Sequence, residues 1–200
     1  MVLQGQYLER ATIVRAGELA LEALYHRGAQ RPAALLVPPS LALVFAGSPM
    51  ELPVVAELAW ALHRLDQPTL RYNPRGLGAS QGSPGGEAGA LEDASAALGL
   101  LVETVGESRA VVVGVGEGAA AALGLAGDPR AAGVVLLAPP RRLLPRPIPD
   151  FARVLVPEGP EWDDLPPESR LERLAGVDAQ FLRGLPLAGR RVAELVSELG

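Results

Sequence analysis

The apolar run Val111-Val112-Val113 passes through Gly114-Val115-Gly116-Glu117-Gly118 straight into Ala119-Ala120-Ala121-Ala122. A buried strand therefore turns through glycines into a helix of small residues. The surrounding chain repeats the theme. Ala33 to Val37, Pro68 to Tyr72, Arg109 to Val113, Val134 to Leu137 and Val154 to Val156 are short apolar runs that predict buried strands. Between them, Glu51 to Leu65 carries Val54, Val55, Leu58, Ala61, Leu62 and Leu65 at helical spacing, and Ala90 to Val105 repeats that pattern. Gly116 to Leu125, Glu168 to Leu174 and Leu187 to Leu199 also read as helices. Strands alternating with helices predict a doubly wound, mostly parallel sheet covered on both faces. In front, Arg10 to Arg15 and Leu19 to Arg27, separated at Ala16-Gly17, predict an antiparallel hairpin at one edge.

Composition narrows the chemistry. Two hundred residues suffice for one domain spanning 1–200 with a sizeable core, and no linker divides them. A net charge of −5 argues against nucleic acid or an anionic membrane surface as a partner. Without cysteine there is no disulfide, thiolate metal site or thiol nucleophile. All 18 basic residues are arginine, which closes Schiff-base and P-loop lysine mechanisms. Met1 to Gln6 lacks the basic and apolar regions of a signal peptide, and prolines interrupt the uncharged stretch from Pro32 to Met50. The expectation is a cytoplasmic protein without a metal or cofactor.

Gly114-Val115-Gly116-Glu117-Gly118-Ala119 also fits G-x-G-x-x-A, the dinucleotide fingerprint. That fingerprint belongs after the first strand of a sheet, with an acid at the end of the next strand. Here it lies mid-chain, and the next strand ends in Ala138-Pro139-Pro140, so dinucleotide binding is the weaker reading.

Three segments carry a resemblance to a known family. Tyr72-Asn73-Pro74-Arg75-Gly76-Leu77-Gly78-Ala79-Ser80-Gln81-Gly82 looks like the R-x-N-x-R-G-x-G-x-S-x-G loop of small bacterial hydrolases related to dienelactone hydrolase. Ala46-Gly47-Ser48-Pro49-Met50 resembles the segment after their first parallel strand, and residues 114–118 resemble their nucleophile elbow, G-x-S-x-G. With the strand order, the resemblance spans roughly residues 10 to 199 and implies the α/β-hydrolase fold.

It also implies a Ser-His-acid triad, and here the chain departs from the pattern. Gly116 stands at the nucleophile position. Gly176-Val177-Asp178-Ala179-Gln180-Phe181 resembles the histidine segment, with Ala179 or Gln180 where histidine belongs. Gly159, Asp163 or Asp164, and Pro166 resemble the acid loop with its spacing slipped, so Asp163 is the candidate remnant acid. Pro38-Pro39-Ser40 replaces the family's H-x-H-P. His26 and His63 fall in an early strand and the first helix, the latter expected at the surface. Ser48, Ser80 and Ser83 are alternative nucleophiles but read better as turn and cap residues. Glu117 reads as an acid at a helix start.

The expected function is that of a non-catalytic descendant acting through a ligand or protein contacts. The alternative is a hydrolase of small ester or acyl substrates with a displaced nucleophile. Ser40, Ser48, Arg75, Gly116 and Glu117 are the candidate ligand-binding residues, with Arg71 beside Arg75 at the cleft mouth. A small-molecule or anionic ligand is the expected partner, and homo- and hetero-oligomers are both open. The stretch from Pro139 to Pro149 reads as a surface connection or a shortened lid.

Overall fold

A computed structural model describes residues 9–39, 47–144, 147–165 and 169–200. Eight strands form one mixed sheet in the order β1-β2-β4-β3-β5-β6-β7-β8. The hairpin of β1 (Glu9–Ala16) and β2 (Leu19–His26) is antiparallel, and β2 pairs antiparallel with β4 (Thr69–Tyr72). From β4 onward the neighbours are parallel: β3 (Ala34–Val37), β5 (Ala110–Val115), β6 (Ala131–Leu137), β7 (Ala152–Glu158) and β8 (Leu171–Asp178). The central strands are short and apolar on both faces because helices cover both. The alternation is visible in β3 and β5. Leu36, Val111 and Val113 face α1 (Pro53–Arg64) and α4 (Leu185–Leu199), whereas Leu35 and Val112 face α2 (Gly86–Val105) and α3 (Ala119–Gly124). The expected doubly wound sheet with its edge hairpin is the sheet observed. Among the described residues, no helix is long and apolar enough to cross a membrane.

Two expectations need correction. Residues 168–174 are not a helix: Leu171–Asp178 is β8, the edge strand beside β7. Leu171, Leu174 and Val177 imitate a helical face because the strand is interrupted. Its pairing jumps from Pro157↔Leu174 to Glu158↔Asp178, so a bulge separates them, and Gly176 lies within it at φ 79°. An edge strand also tolerates the charged residues that obscured it.

The second correction concerns α2, which begins at Gly86 rather than Ala90. Glycines at 85, 86 and 89 argue against a helix by propensity alone. The stem of Arg75, however, lies over Gly85 and Gly89, where an added Cβ would stand 3.0 and 3.2 Å from its Cδ. Tertiary packing thus extends the helix through a stretch that locally reads as loop.

The order of strand addition reverses at β3, flanked by β4 on one side and β5 on the other. The crevice outside the carboxyl ends of β3 and β5 is where open α/β sheets bind ligands.

Candidate functional site

The turn after β5 is shaped by its three glycines in different ways. A Cβ at Gly118 would stand 2.4 Å from the Val37 carbonyl oxygen and 2.7 Å from that of Pro38. At Gly114 it would meet the Ala122 Cβ at 2.7 Å and the Ala119 Cα at 2.9 Å. The outer glycines are therefore required by close approach. Gly116 is different: its φ is 53°, and a Cβ there would have Pro39 Cγ as its nearest contact, at 3.7 Å. Among the described residues, the apex thus has a left-handed backbone with room for a Cβ, and carries none.

The chain before the apex ends a central strand, and the residues after it form one 3-10 turn, Gly116–Gly118, leading into α3. Glu117 does not point into open solvent, because its carboxylate accepts a hydrogen bond from Arg142. Arg142 lies on the connection after β6, and the next residue back, Arg141, holds Asp164 through both carboxylate oxygens. Buried Trp162 donates its indole N–H to the Pro139 carbonyl at 3.1 Å. The connection is thus fastened both to the elbow and to the loop after β7. Sequence reading missed these ties; the paired arginines in a proline-rich stretch were their only signal.

The loops after β7 and β8 meet at the same end of the sheet. A Cβ on Gly159 would lie 3.3 Å from the Ala179 Cβ and 3.7 Å from the Trp162 ring. Asp178 organises the second loop, accepting backbone N–H groups from Gln180, Leu182 and Arg183 at 3.1, 2.9 and 2.9 Å. Desolvation raises its pKa, but these bonds and Arg183 together hold the carboxyl below its usual range. Ala179 and Gln180 lie in this loop, between β8 and α4. Asp163 is exposed and offers its backbone carbonyl to Arg173. Ser40 and Pro166 lie outside the described residues.

The remaining candidates are committed elsewhere. Asn73, fully buried, donates to Glu22 Oε2 at 2.7 Å and Ser48 Oγ at 2.9 Å, and accepts the Met50 N–H at 3.0 Å. Ser80 donates to the Asn73 carbonyl at 2.6 Å and accepts the Glu22 N–H at 2.9 Å. The hydroxyls of Ser48 and Ser80 thus brace the loop, with no histidine beside them. Ser83 is exposed on that loop. Arg75 is held by buried Asp93 through its backbone N–H at 2.8 Å and its Nε at 2.9 Å, and also reaches Glu92. Arg71 is not at a cleft mouth but under α1, paired with both oxygens of Glu9 and with the Met50 carbonyl.

The histidines stand at the far end of the sheet. His26 pairs with Thr69, which is level with Ala34 and hence with Val111 at the start of β5. Gly116 lies five residues further along, about 16 Å at the rise of a strand. His26 and His63 stack with ring centroids 4.0 Å apart. Contrary to the expected surface position, His63 is buried, because the last turn of α1 presses it against β4, where its Nε2 lies 2.9 Å from Thr69 Oγ1.

Burial, together with His26 and Arg71, pushes the His63 pKa from 6.5 to about 3. The folded chain keeps this ring neutral where the unfolded chain would protonate it. Its contribution to stability is complete above pH 6.5 and is lost as pH falls toward 3. Urea unfolding of wild type and His63→Gln at pH 7 and pH 4.5 measures this. Wild type is expected to lose about 2 kcal/mol more than the variant between the two values.

No protein-family model matches this chain, and no curated protein matches it. Solved structures do. An α/β serine hydrolase homologue from Coxiella burnetii aligns over 100% of both chains with a TM-score of 0.72 and 20% identity. A lidless α/β serine hydrolase from Xanthomonas campestris covers 92% of this chain and 94% of its own, with a TM-score of 0.71 and 22% identity. An esterase from Pyrococcus furiosus covers 96% of this chain and 92% of its own, with a TM-score of 0.70 and 15% identity. At such identities the likeness is one of architecture. With the sheet order, the turn after β5 and these likenesses together, the chain has the α/β-hydrolase fold.

Proposed function

We propose that this chain has lost the Ser-His-acid triad and works as a non-catalytic α/β-hydrolase-fold protein, binding a small-molecule or anionic ligand in the crevice or acting through protein contacts. The observation that carries this reading is Gly116. It holds the apex backbone at φ 53° with space for a Cβ, yet offers no atom that could attack a carbonyl.

Acyl transfer by this fold also needs a base within hydrogen-bond reach of the nucleophile. His26 and His63 sit at the opposite end of the strands, and the loop after β8 presents Ala179 and Gln180 instead. An oxyanion hole alone retains on the order of 10³-fold catalysis over water, too little to serve as a function. Among the described residues, the walls left for a ligand are Pro39, Gly116 and Glu117, since Ser48 is bonded to Asn73 and Arg75 to Asp93 on α2.

The second reading is hydrolysis of a small ester through a displaced nucleophile, and the esterase and serine hydrolases of like architecture favour it. The p-nitrophenyl acetate assay separates the two. The proposal expects no turnover above that of the heat-denatured chain. Saturable turnover abolished by Ser48→Ala, Ser80→Ala or Ser83→Ala would overturn it in favour of the hydrolase.

A further inference from the structure

On the face opposite α2 and α3, α1 and α4 lie side by side and leave a cleft of about 230 Å³. Gly189 fixes their register, because a Cβ there would touch both Glu57 Cγ at 3.0 Å and Ala61 Cβ at 3.3 Å. The two helices run in the same direction, as helices do when each connects to parallel strands. Just past the end of α1, Gln67 Nε2 donates to Ser197 Oγ in the last turn of α4 at 3.1 Å.

The charges along this cleft are ordered. Glu57 leads and Arg64 follows on α1, while Arg190 leads and Glu194 follows on α4. Trp60 stands midway on α1, with Pro186 at the leading end and Leu65 at the trailing end. Leu65 is 46% exposed, and Leu187, in the first turn of α4, is 38% exposed. Among the described residues, neither Arg64 nor Arg190 has a carboxylate within 4.0 Å. Both instead act on Glu57 from a distance, while burial raises the pKa of that carboxyl.

We infer that this face pairs with a second copy of the same chain across a twofold axis perpendicular to the helices. Such an axis reverses the direction along the helices and lays α1 on α1 and α4 on α4. Glu57 then meets Arg64 of the second copy, and Arg190 meets Glu194 of the second copy. The two Trp60 side chains, midway on α1, meet near the axis. An isologous interface needs this self-complementarity. A ligand of one charge would find both signs in the cleft. An aromatic centre within a charged rim is also the usual anatomy of a protein interface.

Sedimentation velocity of the full chain, over about 1 to 300 µM, tests the pairing. Wild type is expected to move from 20.8 kDa monomer to a species of twice that mass. Arg190→Glu and Glu194→Arg each place like charges opposite one another, so each is expected to weaken association at least about tenfold. The double variant R190E/E194R restores opposite charges and is expected to return to within about threefold of wild type. Both positions of this test, Arg190 and Glu194, are solvent-exposed charges, and thermal melts of the variants confirm folding. A wild type that stays monomeric overturns the inference. So does a dimer indifferent to the single reversals, or a double variant no better than the singles.

Discussion

Gly118→Ala is expected to destabilise the chain by about 3 kcal/mol or more, while Gly116→Ser costs only about 1–2 kcal/mol. The two glycines are separated by one residue, yet different physics governs them. A methyl at 118 would overlap two backbone carbonyl oxygens of the segment leaving β3, at 2.4 and 2.7 Å, and neither oxygen belongs to a flexible side chain. Relief requires moving the end of a central strand. Among the described residues, a Cβ at 116 meets nothing closer than 3.7 Å, so the left-handed backbone is its main cost. Chemical denaturation of both variants checks the ordering. If Gly116→Ser proves as stable as wild type, glycine there relieves no strain. If Gly118→Ala is harmless, the elbow is looser than its contacts indicate.

Asp93→Ala is expected to cost about 3–5 kcal/mol, the loss that follows when one partner of a buried ion pair is removed. Asp93 has no exposed surface, and it holds Arg75 through both backbone and guanidinium. Without it, the Arg75 guanidinium keeps only the exposed Glu92, and the Arg75 N–H loses its acceptor. The damage should spread, because Arg75 packs on Gly85 and Gly89 and so supports the first turn of α2. Hydrogen exchange is expected to show faster exchange over residues 86–92 in the variant than in wild type. A loss below about 1 kcal/mol with unchanged exchange would mean that this loop does not anchor the helix.

The sheet was legible because the central strands carry apolar side chains on both faces, and the intervening helices keep their spacing. Val111 to Val113 and Val134 to Leu137 needed no tertiary information to be read as strands. β8 was not legible. Its bulge at Gly176 breaks the period of two, and what remains of Leu171, Leu174 and Val177 is a spacing of three. The first turn of α2 failed for the opposite reason, since a side chain distant in sequence stabilises residues that locally disfavour a helix.

At the candidate site, the sequence disclosed the turn at 114–118 and the departure at its apex, both of which depend on residue identity alone. It disclosed nothing of Arg142 on Glu117 or Arg141 on Asp164, because ion pairs between loops leave no periodic trace. The burial of His63 was hidden likewise: its place in the last turn of α1 resembles a surface position until β1, β2 and β4 close beside it.

The most direct test of the central claim is intact mass after exposure to a reactive fluorophosphonate. An unmodified chain of 20.8 kDa is the result expected when Gly116 leaves the elbow without a nucleophile. A single stoichiometric adduct would contradict that account, and peptide mapping would identify the residue that attacks in its place.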